Sequence, residues 1–132
     1  MKPRLLLDTH VVVRWLYEPK KLSADQRRSL NEAVNHGECV GVSAFSLIEI
    51  VLLNERQRIK VRLDRLFQEL NENPAFQILP LTTAIACEMA EIGDALRDPA
   101  DRMIVATARV HRLRLLTADQ RIIASNLVAV VE

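Results

Sequence analysis

Short apolar runs alternate along this chain with longer stretches in which apolar residues recur every three or four positions. That alternation of short strands and amphipathic helices predicts an α/β fold: a three-layer arrangement with a mostly parallel central sheet flanked by helices. Strands are expected over residues 4–7, 38–42, 76–79, 113–116 and 127–131. Helices are expected over 11–17, from Ser23 to about 34, over 44–54 and 60–70, and from Thr82 or Thr83 to near 97. Two more should begin at Asp98-Pro99 and at Asp119 or Gln120. Ser23 with Gln26 has the spacing of a capping box, and Pro99 stands at the favoured first position of a helix. No linker, internal repeat or low-complexity tract interrupts the pattern, so residues 1–132 are expected to form a single domain.

Four acidic residues stand where the apolar segments end or are interrupted. Asp8 closes Leu5-Leu6-Leu7, and Glu49 breaks the apolar stretch from Phe45 to Leu53. Asp101 lies at the start of a helix, and Asp119 follows Leu115-Leu116-Thr117-Ala118. In open α/β sheets, ligands bind beyond the carboxyl ends of the strands, the direction in which Asp8 and Asp119 are expected to point. Asp8 could equally cap a helix starting near Thr9, and Asp119 could simply begin one. Glu49 has Phe45, Leu52 and Leu53 as helical neighbours, so it needs a polar cleft, a metal or a buried arginine partner. Asp98 reads as an N-cap. Asp101 shares its helix face with Ile104, Val105 and Ala108, the face expected to pack on the sheet.

Converging carboxylates need compensation, because two like charges about 4 Å apart repel by roughly 1–4 kcal/mol. Oxygen-only ligands suit Mg2+ or Mn2+, and such a site can activate water and neutralise a phosphodiester in its transition state.

These segments resemble the PIN-domain nucleases, in particular the VapC-type toxins of toxin–antitoxin systems. The resemblance is carried by Leu7-Asp8-Thr9-His10 with Trp15-Leu16, by Val42-Ser43-Ala44-Phe45-Ser46-Leu47-Ile48-Glu49-Ile50, by Asp98-Pro99-Ala100-Asp101-Arg102-Met103-Ile104-Val105-Ala106-Thr107-Ala108, and by Leu115-Leu116-Thr117-Ala118-Asp119. It implies that Asp8, Glu49, Asp101 and Asp119 are the metal-binding acids of an Mg2+- or Mn2+-dependent endoribonuclease. Thr9, Ser43 and Thr117 match polar positions around the family's acidic pocket, and Asp98 is a further accessory candidate. A small antitoxin is the implied protein partner. The chain departs from a common family pattern at Leu96 and Ala100, where His and an aromatic residue are frequent.

Composition narrows the alternatives. The net charge of +1 neither requires nor excludes nucleic acid, so RNA contacts would fall to local basic residues, of which Arg14, Arg102 and Arg109 are the candidates. The series Arg56, Arg58, Lys60, Arg62 and Arg65, interleaved with Glu55 and Asp64, reads rather as a solvated helix face. Trp15 is expected in the core or against a partner, and an exposed apolar helix face would suit a homodimer or an antitoxin. Cys39 and Cys87 are expected to be buried, reduced thiols of a cytoplasmic protein. No signal peptide or membrane span is predicted. The three histidines lack zinc spacing, and the three glycines form neither a Walker loop nor a dinucleotide fingerprint. Two other readings stay open: a catalytically silent module that binds RNA or protein, and a phosphatase-like hydrolase with an enclosed pocket.

Overall fold

Leu5, Leu6 and Leu7 are buried on both faces of a sheet, which is why they read as a continuous apolar run rather than an alternating one. In the computed structural model, which describes residues 2–132, they form β1 (Leu5–Leu7) at the centre of five strands. The others are β2 (Val40–Ser43), β3 (Phe76–Leu79), β4 (Arg114–Leu116) and β5 (Val130–Val131). Their order is β3-β2-β1-β4-β5, and every neighbouring pair is parallel.

The helices are α1 (Thr9–Tyr17), α2 (Ala24–Asn35), α3 (Ala44–Glu55), α4 (Leu63–Glu72), α5 (Thr83–Ile92), α6 (Pro99–His111) and α7 (Gln120–Ser125). Successive strand residues face opposite ways, and the core divides accordingly. Leu5, Leu7 and Leu116 pack with α1, α2, α4 and Ile50 of α3. Leu6 and Leu115 pack with Ile85 and Ile92 of α5, with Ile104 and Val105 of α6, and with Ile122 of α7. Trp15 joins the first of these layers, edge-on to Phe76 with ring centroids 5.3 Å apart.

Several boundaries differ from the sequence expectation, each for a local reason. The first helix begins at Thr9 rather than 11, because the Asp8 side chain accepts the Thr9 N–H. The fourth begins at Leu63 rather than 60. Gln57 turns the chain with φ 58°, and the Asn54 side chain takes the Val61 N–H, so the residues before it are held in a loop. The fifth ends at Ile92, where Gly93 adopts φ 52° and starts a single 3₁₀ turn. The last strand is confined to Val130–Val131, since residues 126–129 complete the turn after α7. The Ser23–Gln26 capping box is present as expected.

The expected burial of both thiols is not met: Cys87 is exposed on α5 and Cys39 is half-buried, and no disulfide joins them. Cys87 falls on the outward face of a helix whose buried residues are Ile85 and Ile92. No helix among the described residues is long and apolar enough to cross a membrane.

Candidate active site

The strand order reverses between β1 and β4, and a crevice at such a switch point is the usual ligand position in open α/β sheets. Asp8 follows β1, and Asp119 stands three residues beyond the end of β4. The Asp8 N–H donates to the Leu116 carbonyl at 3.0 Å, so the two chain segments run together past the sheet edge. There Asp8, Glu49, Asp101 and Asp119 line one pocket of about 140 Å³, with Asp98, His10 and Arg121. The fold therefore gathers all four acids from four separate segments of the sequence.

Each acid is also held by its own element. Asp8 Oδ1 accepts the Thr9 N–H at 2.8 Å, making Asp8 the N-cap of α1, while its Oδ2 accepts the Thr117 hydroxyl at 2.7 Å. Cap and pocket residue are thus one side chain. Thr117 in turn accepts the Asp119 N–H at 3.0 Å, linking the two acids through one buried hydroxyl. Asp119 caps α7 by accepting the Arg121 N–H at 2.9 Å.

Glu49 reaches the pocket from α3. The buried Thr9 hydroxyl donates to its Oε1 and shares a 2.9 Å hydrogen bond with Ser46. A hydroxyl partner, not an arginine, therefore supports this carboxylate. Asp98 caps α6 through Oδ1, which accepts the N–H groups of Ala100 at 2.8 Å and Asp101 at 3.2 Å. Ser43 is fully buried and caps α3 by accepting the Phe45 N–H, so it shapes the helix start and does not line the pocket.

Asp101 is the group under most stress. It is 9% exposed, and its buried Oδ2 accepts no hydrogen bond. Burial pushes its carboxyl up to about 7; the charges of Asp119, Asp98 and Asp8 push the same way, and Arg121 opposes them. Asp119 lies below its ordinary range: burial would raise it, but hydrogen bonds from the Arg121 side chain and backbone outweigh that.

Arg121 was not legible from the sequence as part of the site. Its Nη2 lies 3.1 Å from Asp101 Oδ2 and 3.3 Å from Asp119 Oδ2, and its Nη1 lies 3.5 Å from Asp98 Oδ2. The only available signal was its position two residues after Asp119 at a helix start. His10 and Ser46 were missed too, being a surface histidine and an ordinary helical serine until Asp8 and Thr9 are placed beside them.

Of the three basic candidates, only Arg14 is near the acids. It lines an adjoining hollow of about 210 Å³ with Asp8, His10 and Asp119. Arg102 instead donates through Nε to the Leu96 carbonyl at 2.9 Å, closing the loop before α6. Arg109 is paired with Glu88 at 2.6 Å and donates to the Leu127 carbonyl. Neither lines the acidic pocket or the hollow beside it. Leu96, where the resemblance would favour His, is buried in the core.

The donor set is chemically suited to a hard divalent cation: carboxylate oxygens, one of them a buried oxygen without a hydrogen bond. As they stand, no three His, Cys, Asp or Glu side chains among the described residues are drawn close enough to hold an ion. Arg121 already lies between two of the acids.

Comparison with known proteins agrees with this architecture. The sequence is 34% identical over 121 residues to Ribonuclease VapC22 of Mycobacterium tuberculosis, covering 89% of this chain and 88% of that protein. The fold superposes on the crystal structure of FitAcB from Neisseria gonorrhoeae with a TM-score of 0.69 and 27% identity, covering 97% and 96% of the two chains. A toxin–antitoxin complex from Klebsiella pneumoniae superposes equally well, with a TM-score of 0.69 and the same coverage, but at 19% identity it shows the fold alone. The profile of the PIN domain matches residues 5–125, and the chain belongs to the PIN-domain family.

Proposed function

We propose that this protein is an endoribonuclease dependent on Mg2+ or Mn2+, and the toxin half of a toxin–antitoxin pair. The observation that carries the reading is the convergence of Asp8, Glu49, Asp101 and Asp119 at the strand-order switch, with an unsatisfied buried oxygen among them. The similarity to a ribonuclease supports the substrate class.

Asp8, Asp101 and Asp119 would hold the ion, with Glu49 at the side of the pocket formed by α3. When bound, such an ion supplies Lewis-acid polarisation and a more acidic water at the scissile phosphate. The chain's own residues do the positioning. Thr117 holds the Asp8 carboxylate, and Thr9, itself bonded to Ser46, holds Glu49. Arg14, which lines the adjoining hollow, would meet a neighbouring phosphate.

The pocket shares Asp8, His10 and Asp119 with that hollow, and two adjoining hollows suit a polynucleotide better than a single small substrate. A second copy of the chain is the proposed occupant of the apolar stripe on α3, where Ile48 and Leu52, one helical turn apart, are 57% and 39% exposed. A purely monomeric mass by light scattering would overturn that pairing.

The test of function is cleavage of a mixed RNA by partner-free protein in Mn2+, Mg2+ or chelator, beside Asp8→Asn. Cutting that needs metal and falls at least about 100-fold in the variant, with the fold retained, is the expected outcome. Undiminished cutting by Asp8→Asn would overturn it.

A further inference from the structure

Among the described residues, Arg121 is the only lysine or arginine lining the acidic pocket. Its Nη2 stands within 3.3 Å of oxygens from both Asp101 and Asp119, and Nη1 faces Asp98. Two independent observations show that this arrangement is not a finished structural ion pair. Asp101 Oδ2 accepts no hydrogen bond although Nη2 is only 3.1 Å away, so a buried lone pair is left unspent. The Arg121 side chain itself is 64% exposed, and the hydrogen bonds that hold its guanidinium to Asp119 and Asp98 are long, at 3.3–3.5 Å.

A cation shared by Asp101 and Asp119 and the Arg121 nitrogen between them exclude each other. Oxygens binding Mg2+ close to about 2.0–2.1 Å, and a guanidinium left among them would add repulsion at short range. Moving it costs little, because exposed ion pairs are individually weak. The Arg121 N–H keeps its hydrogen bond to Asp119 Oδ1 wherever the side chain goes, so the helix start survives the movement.

We propose that Arg121 is a resident counter-ion of the acidic pocket, which a divalent cation must displace. It neutralises the aspartates while the pocket holds no ion, and metal binding and its departure are one exchange. This rests on the carboxylate metal site proposed above. It assigns Arg121 no contact with substrate; the residue acts through the acids.

The test compares wild type, Arg121→Gln and Arg121→Lys by calorimetric titration with Mn2+ and by thermal unfolding in chelator and in saturating Mn2+. Arg121→Gln is expected to bind Mn2+ about 3- to 30-fold more tightly, the sum of several weak pairs no longer competing. Arg121→Lys keeps the charge but not the planar fork, and should fall between. In chelator Arg121→Gln should melt below wild type, and the gap should close in Mn2+. Equal or weaker Mn2+ affinity in Arg121→Gln would overturn the proposal alone, as would the same loss of melting temperature with and without metal. Absence of Mn2+ binding in all three proteins would overturn it together with the metal site.

Discussion

The two ends of the sheet carry charge in opposite styles. At the end where the strands begin, a hollow of about 320 Å³ is lined by Arg4, Arg114, Glu32 and Glu38 with His36 and Ser29. Cations and acids balance there, and Arg4 lies 3.7 Å from Glu38. At the end where the strands finish, a pocket less than half that size gathers five acids against one arginine. The larger hollow is a solvated surface with balanced charge, and the smaller one is the candidate site. Uncompensated charge, not volume, separates them, since a fold tolerates such an imbalance only where something else is meant to bind.

The contrast can be broken most severely at Thr117. Thr117→Val keeps the shape of a buried side chain but removes the hydroxyl joining Asp8 to Asp119. Mn2+ affinity is expected to fall about 10-fold or more by calorimetry, the usual cost of losing a group that orients a ligand. Unchanged affinity would mean that the acids orient themselves.

A smaller effect should come from Asp101. Its carboxyl is raised to about 7 in the folded protein, above its ordinary 3.8. Between those values the native state holds more protons than the unfolded chain, so stability falls as pH rises through that window. The penalty is complete above about pH 7 and absent below about pH 4. Without metal, Asp101→Asn should therefore stabilise the protein by about 1–2 kcal/mol at pH 8 and by nothing measurable at pH 4. Urea unfolding at the two pH values decides this; a variant less stable at pH 8 would show that the Arg121 pair outweighs the repulsion.

The smallest effect lies at the other end. Arg4→Ala removes an exposed, loosely paired cation and should change stability by less than about 0.5 kcal/mol and leave Mn2+ affinity unaltered. A change in metal affinity there would erase the distinction between the two ends.

The sheet and the acids were legible because both leave strong local marks. Leu5-Leu6-Leu7 and Leu115-Leu116 read as strands buried on two faces, and an Asp one residue after the first and three after the second falls beyond the strand ends. Glu49 stood out because its helical neighbours are apolar. The partners of these acids were not legible, because they depend on which loops meet. Asp98 and Asp101 meet Arg121 across twenty or more positions, through the packing of α6 and α7 on one sheet face. The same holds for Arg102 and Arg109: their sequence neighbours suggest an exposed basic rim, and only the fold shows a carbonyl and a glutamate already waiting for them. Helix ends went astray where one residue decides, as Gly93 does by turning to positive φ.

The central strand β1 pairs on one side with β4, a segment that begins at residue 114 of 132. Asp119 and Arg121 follow it. A ribosome making this chain therefore produces Asp8 more than a hundred residues before Thr117 and Asp119, its neighbours in the pocket. A chain interrupted anywhere before residue 114 lacks the strand beside β1, the hydroxyl of Thr117 and the fourth acid together. On the proposed reading such a fragment lacks a complete metal site as well as a complete sheet, so one stretch of chain finishes both the fold and the chemistry.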